Sequence, residues 1–494
     1  MSTEVPPGAS TAASDAGEGG GAGATKPLSL VALTALVVGS MIGGGIFSLP
    51  HQMAGAAAPG PLLIGWLITG LGMFMLAQCY QRLAIARPDI DGGVYGYARA
   101  AFGDYVGYAS SWGYWMSAWI GNVGYMVLLM SSVGVFIPAF EGGNTAVAII
   151  SASVLLWLMH FLVLRGVHEA AFINAIITVA KLVPLAVFIV LAFTAFKMGV
   201  FASDIWGTET TIDGESLGST LGQVKNMMLV TVWVFIGVEG ASLYSQRARK
   251  RSDVGKATMM GFVIVLVLLL LVNFLSYGIV EQAKLAGFSD PSMAGVLREV
   301  VGSWGANFVS LGIIISVLGA LLAWVLMCAE VLRLPAQEGV MPRWIGVENR
   351  HGAPTGALWL TNGMVQLMLI WTYFNGRTYT ALIVLASSLI LLPYLFSALY
   401  QLILSVKGEA GLRASDVVIG VLATVYGVWL LYAGGLQYLL VGALVYFVGT
   451  AMYVWARVES RKRVFTTAEV VLCAVFAIGA VIAVAGLVQG WIEV

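Results

Sequence analysis

The chain has 494 residues, of which 59% are hydrophobic and only 10% charged, with Lys+Arg and Asp+Glu at 25 each. Soluble domains carry about 25% charged residues, so the composition excludes a soluble globular protein and describes a polytopic helical membrane protein. The four histidines form no HExxH or other close metal pair and no Walker A loop occurs, so neither metal catalysis nor direct ATP drive is expected and no cofactor is implied.

Residues 1–27 are rich in Gly, Ala, Ser and Thr and lack the basic stretch and apolar core of a cleaved signal peptide, which reads as a disordered cytoplasmic tail. Apolar runs of about 20 residues then place spans near 28–55, 60–81, 106–137, 145–164, 170–195, 224–246, 257–280, 306–334, 356–374, 379–402, 415–433, 437–457 and 466–490. Thirteen spans put the termini on opposite sides. Most Lys and Arg residues, including Arg247, Arg249, Lys250, Arg461, Lys462 and Arg463, fall on the side of the N-terminus. The positive-inside rule therefore sets the N-terminus in the cytoplasm and the C-terminus outside. These basic clusters are topological, and no nucleic-acid partner is expected. Cys79, Cys328 and Cys473 lie in separate apolar segments, with no disulfide framework or metal spacing. The connections 196–223 and 281–305 hold too few apolar residues for a core of their own, and 335–355 is a cytoplasmic loop.

Two of these spans carry matching interruptions, Gly39-Ser40-Met41-Ile42-Gly43-Gly44-Gly45 in the first and Phe235-Ile236-Gly237-Val238-Glu239-Gly240 in the sixth. Each mid-helix glycine costs about 1 kcal/mol relative to alanine, and an unwound stretch at bilayer depth is tolerated only where protein or a water-filled cavity satisfies its backbone. The breaks therefore point to a polar ligand. Their offset of five spans makes spans 1–5 and 6–10 an inverted pair with three spans appended, a transporter core over 28–402 followed by 403–494. Close helix packing through the glycines is the alternative for either break alone. N–H groups near Gly44 and Gly45 suit a carboxylate. Carbonyls freed at Met41, Trp233 and Ile236 suit an α-amino group.

Ser40-Met41-Ile42-Gly43-Gly44-Gly45-Ile46-Phe47 and Trp233-Val234-Phe235-Ile236-Gly237-Val238-Glu239 resemble the first- and sixth-span motifs of the amino acid-polyamine-organocation superfamily. Tyr114-Trp115-Met116-Ser117-Ala118-Trp119-Ile120-Gly121-Asn122 resembles the third span of its basic amino acid/polyamine antiporters. Trp324, followed by Arg333, Gln337-Glu338-Gly339 and Pro342, resembles their eighth span and loop. Ala58-Pro59-Gly60, Asp91-Gly92-Gly93-Val94-Tyr95 and Leu162-Val163-Leu164-Arg165-Gly166 look most like arginine:ornithine antiporters. The resemblance implies a leucine-transporter-like 5+5 fold in a bacterial inner membrane, with relatives that form dimers, so a homodimer stays open.

The resemblance also carries site roles. Tyr114, Trp233 and Trp324 would surround an aliphatic stem and cationic head, where a desolvated cation over aromatic faces gains about 2 kcal/mol; interfacial belts are the other use of tryptophan here. Ser40, Met41, Gly44, Gly45, Asn122, Ile236 and Ser388 complete the expected substrate site. Gly44 and Ser40 replace a serine and an asparagine of the arginine/agmatine exchangers, which favours a different substrate pair.

Glu239 is the acid adjoining a break, and a carboxylate inside a span is a functional candidate for proton coupling or gating, or else a buried hydrogen-bond anchor. Lys181, mid-span, cannot snorkel about 15 Å to an interface. It requires an internal partner, as a fixed cation or a titrating carrier; the resemblance to proton-coupled relatives with a fifth-span lysine at the sodium position implies the span-1 and span-8 carbonyls. Glu330 and Arg333 read as an i,i+3 surface pair. The expected function is exchange of cationic amino acids, arginine against ornithine, by alternating access. The alternatives are a proton-coupled arginine/lysine permease, an arginine/agmatine-type antiporter, and an amino-acid-sensing transceptor.

Overall fold

A computed structural model describes residues 29–166, 171–239, 251–376 and 378–492. The expected tail over 1–27, the far half of the sixth span at 240–246 and the basic cluster at 247–250 lie outside the described residues. The first apolar run breaks at its glycines: α1 (Leu30–Met41) ends, and α2 (Gly45–Ala56) resumes bent by 43°. The extended Ala58 and Pro59 at the first helical turn then start α3 (Pro59–Ala86). After α3 an amphipathic helix, α4 (Val94–Phe102), lies where the sequence reads as a loop; it buries Tyr95 and Tyr97. Helices α5 (Asp104–Gly134), α6 (Ala146–Leu164), α7 (Ala171–Ala195) and α8 (Thr220–Trp233) follow. Side chains cap two of them, since Thr145 Oγ1 accepts from Ala148 N–H and Ser219 Oγ from Gly222 N–H, both at 3.2 Å.

The second half runs α9 (Arg251–Tyr277), α10 (Ser292–Val301), α11 (Ser303–Gln337), α12 (Thr355–Asn375) and α13 (Tyr379–Lys407). The last three are α14 (Ala414–Gly434), α15 (Leu436–Glu459) and α16 (Thr467–Gln489). Nine helices among the described residues are long and apolar enough to cross a membrane, and the bent α1–α2 pair makes a tenth. The chain is an all-helical integral membrane protein.

α5 is the centre of the bundle. In its most apolar stretch 94% of residues are buried, against 22% in α16, whose side chains face outward. α5 packs along both α11 and α13, and α1 along α9. Small residues let α15 pack on α5 as well: a Cβ on Gly113 would collide with Tyr446 of α15, and one on Gly449 with Trp112.

Charged side chains tie the two ends of the bundle. At one end Glu338, after α11, accepts from Tyr95 and Arg99 of α4, while Asp104 accepts 2.7 Å bonds from both Arg99 and Arg457 of α15. Arg333 bonds Glu330 at 2.7 Å, the i,i+3 pair read from the sequence, and also reaches Glu348. At the other end the connection 281–305, read as a loop, holds a short helix (Gln282–Ala286) and α10, both packed on α2. His51 Nδ1 there lies 3.5 Å from Asp290 Oδ1, and Ser292 Oγ donates to Ser48 O at 3.1 Å.

Candidate functional site

A cleft lies where α5, α8, α11 and α13 meet. Its main wall is one face of α5, with Tyr114, Ser117, Gly121, Asn122 and Tyr125 recurring at three- and four-residue steps. Trp233 and Ile236 at the second break, Trp324 of α11 and Ile390 of α13 oppose them. About 330 Å³ between the atoms is unfilled, yet the passage is narrow enough to hold about one water molecule, so this conformation is closed around the cleft. Trp233 is held on several sides. Its Nε1 donates to Tyr379 Oη at 2.9 Å, its ring lies 5.5 Å from that of Tyr125, and Cβ atoms at Gly121 or Gly45 would approach the indole to 2.6 and 2.9 Å. Asn122 Nδ2 donates to Cys328 Sγ at 3.6 Å. Asn122 Oδ1 and Ser117 Oγ, both on residues 1% exposed, have no hydrogen-bond partner among the described residues.

Glu239 sits behind this wall. Tyr114 Oη donates to its Oε1 at 2.7 Å and Tyr394 Oη to its Oε2 at 2.9 Å, with Gly237 N–H 3.3 Å from both oxygens. One carboxylate thus connects the second break to α5 and α13. Hydrogen bonds to a charged acceptor are worth about 1.5–3 kcal/mol each, so the break is anchored rather than loose.

The first break is anchored by a cation. Ile42 N–H still bonds Val38 O, but Gly43 N–H turns to Met41 O at 2.9 Å, which strips Gly39 O of its i+4 helical partner. Lys181 Nζ donates to Gly39 O at 3.0 Å. An ammonium at a helix C-terminus also answers the negative end of the dipole. The two breaks touch each other: Ser40 Oγ donates to Val37 O at 2.9 Å and lies 3.2 Å from Gly237 O. Gly237 has φ +107°, and a Cβ there would come within 3.1 Å of Ser40 O. A side chain at 237 is disfavoured twice over.

Residues 28–451 match the amino acid permease family. This chain belongs to that family. The permease is 54% identical to the arginine/ornithine antiporter of Pseudomonas aeruginosa, over 95% of this chain and 98% of that protein. It is 42% identical to the L-lysine transport protein of Corynebacterium glutamicum, over 97% and 99% of the two chains. It is also 41% identical to the arginine/agmatine antiporter of Chlamydia caviae, over 93% and 96%. It is a member of the amino acid-polyamine-organocation superfamily and a transporter rather than an enzyme.

In the permease, five of the sequence-selected residues share the cleft: Tyr114, Asn122, Trp233, Ile236 and Trp324. Ser40, Met41, Gly44 and Gly45 form the first break behind Trp233 and Tyr125 and do not line it. The Met41 and Trp233 carbonyls, read as freed, each accept a bond in a tight turn, from Gly43 N–H and Ile236 N–H. The Tyr125 ring packs against Gly44, where a Cβ would come within 3.2 Å of it. Ser388 Oγ donates to Leu385 O of its own helix at 2.7 Å, and Ile390 takes the place on the cleft wall instead. Sequence reasoning passed over Ser117, Gly121 and Tyr125, although they follow Tyr114 at helical spacing. Tyr394 carried no local signal, because only packing brings α13 to Glu239.

Proposed function

We propose that this permease is a secondary transporter that exchanges cationic amino acids across the bacterial inner membrane, arginine against ornithine, by alternating access around the two breaks. The observation that carries the chemistry is the cleft between Trp233, Trp324 and Tyr114, three aromatic side chains on three helices, with no carboxylate lining it among the described residues. Aromatic faces hold a guanidinium or ammonium yet release it more readily than an ion pair does. The names of the similar proteins, an arginine/ornithine antiporter, an arginine/agmatine antiporter and a lysine transport protein, support the same substrate class.

In this reading the first N–H groups of α2, at Gly44 and Gly45, receive the substrate carboxylate, with Ser40, Met41 and Ile236 beside the α-amino group and Asn122 toward the cationic head. Ser388 would join only if α13 rotated. Tyr125 must swing away to free Gly44, which fits the narrow cleft. Lys181 acts as a fixed cation on the first break, a role that leaves no need for sodium. Glu239 is a gate whose tyrosine bonds break and re-form. The fold is a 5+5 inverted repeat over 28–402, with thirteen spans in all, accessory spans over 403–494, the N-terminus in the cytoplasm, the C-terminus outside and a homodimer as the assembly.

The test is counterflow in proteoliposomes. Labelled arginine uptake should require internal ornithine or arginine, and equal uptake into empty vesicles rejects obligatory exchange. Proton-coupled uptake is the second reading, favoured by the two charges at bilayer depth, Glu239 and Lys181. An imposed proton gradient that accumulates arginine in vesicles without internal substrate would select it.

A further inference from the structure

Two helices that wall the cleft contain internal prolines, Pro335 in α11 and Pro393 in α13. Proline has no N–H, so the carbonyl four residues earlier loses its helical donor, and at bilayer depth such a carbonyl needs another. The core supplies one of them: Ser111 Oγ of α5 donates to Val331 O at 3.1 Å. The other donor comes from outside the core, where Tyr446 Oη of α15 donates to Leu389 O at 2.7 Å.

Leu389 is a sensitive place to hold. The next residue, Ile390, is on the cleft wall, and Tyr394, one turn on, donates to Glu239. Across the junction is Gly113, where a Cβ would lie 2.8 Å from Leu389 O, and its neighbour Tyr114 is the second hydroxyl on Glu239. α15 is itself fixed to α5, because Trp112 Nε1 donates to Val445 O at 3.1 Å and Tyr108 Oη to Gly449 O. The hydroxyl therefore stands at a three-helix junction that adjoins both tyrosines of the Glu239 anchor.

We infer that Tyr446 is a positioning residue for transport: it satisfies the backbone carbonyl freed by Pro393 and so makes the appended helix α15 part of the moving core's hinge. On this account α15 sets how fast α13 changes shape without touching the substrate. The inference rests on the alternating-access reading proposed above.

The test is Y446F in the full-length permease reconstituted in proteoliposomes, with turnover normalised to folded protein. Ornithine-driven arginine exchange should fall at least fivefold in kcat while the arginine Kd, read from tryptophan fluorescence in detergent, stays within twofold. A merely structural tyrosine would lower melting temperature and yield but leave turnover per folded molecule unchanged, and that outcome overturns the inference. P393A supplies the missing N–H to Leu389 O, so Y446F should have no further effect on a P393A background. An equal loss on both backgrounds also overturns it. If Y446F does not fold, W112F replaces it, because it loosens α15 from α5 at Val445 O: turnover per folded molecule should fall with the arginine Kd unchanged, and unchanged turnover overturns the inference. Absence of arginine exchange by the wild type would instead reject the proposed substrate, and the same Y446F turnover comparison is then read with labelled lysine.

Discussion

Lys181 Nζ, on α7, lies 3.0 Å from the carbonyl oxygen of Gly39, the backbone group that the first break strips of its helical partner. Removing the ammonium leaves a part-buried carbonyl short of a donor, a loss of about 1–3 kcal/mol, at the point where α1 must hold its end. K181M should lose at least tenfold in exchange rate, with K181R intermediate because a guanidinium reaches the same oxygen. Wild-type rates in K181M vesicles would remove Lys181 from the mechanism.

Tyr114 and Tyr394 hold opposite oxygens of Glu239. Y114F and Y394F should each lower unfolding stability by about 1.5–3 kcal/mol, as for hydrogen bonds to a charged group. On an E239Q background each should cost less than half as much, because the acceptor is then neutral. Thermal unfolding in detergent measures the cycle, and equal costs on both backgrounds would mean that the hydroxyls stabilise something other than the carboxylate.

Gly237 combines φ +107° with close approach to Ser40 O. G237A should cost roughly 1–3 kcal/mol of stability through backbone strain and reduce exchange more than S40A does, since S40A removes a hydroxyl bonded to Val37 O and Gly237 O without straining the backbone. A G237A protein with unchanged melting temperature would show that the break relaxes without strain.

Ser117 Oγ is unpartnered and faces the cleft. If it accepts from the cationic head, S117A should raise the KM for arginine by about 2- to 10-fold with little change in kcat, the signature of one hydrogen bond made equally in ground and transition states. An unaltered KM for both arginine and ornithine assigns the hydroxyl to packing.

Burial pushes the Asp290 carboxyl up, opposed by the nearby His51. A carboxyl raised in the folded state contributes stability that is fully present below the ordinary carboxylate range and is lost as pH rises through its own value. Wild-type melting temperature should therefore climb as pH is lowered from neutral toward that range, and D290N should flatten the climb. A D290N curve parallel to wild type would place the pH dependence elsewhere.

The spans near 60–81, 306–334 and 379–402 were legible because a bilayer demands about 20 apolar residues wherever a helix crosses. Both glycine interruptions were legible for a related reason, since glycines, three of them adjacent in the first, are costly inside a helix. Helix α4 was not, because its amphipathic nine residues are too short to stand out beside a span. α10 was hidden in the same way, and its packing on α2 depends on residues more than 200 positions away.

By itself the sequence determined a helical membrane protein, the positions of the two breaks and the residue types around them, because hydropathy and backbone cost act locally along the chain. It also singled out Glu239 and Lys181, since a charge at bilayer depth is conspicuous wherever it points. Tertiary structure decided which groups meet: Tyr394 rather than a neighbour in sequence completes the Glu239 anchor, Ile390 rather than Ser388 faces the cleft, and Tyr446 from α15 reaches Leu389 O. Those outcomes follow from helix rotation and crossing, where a turn of about 100° per residue moves a side chain from the cleft to its own helix's backbone.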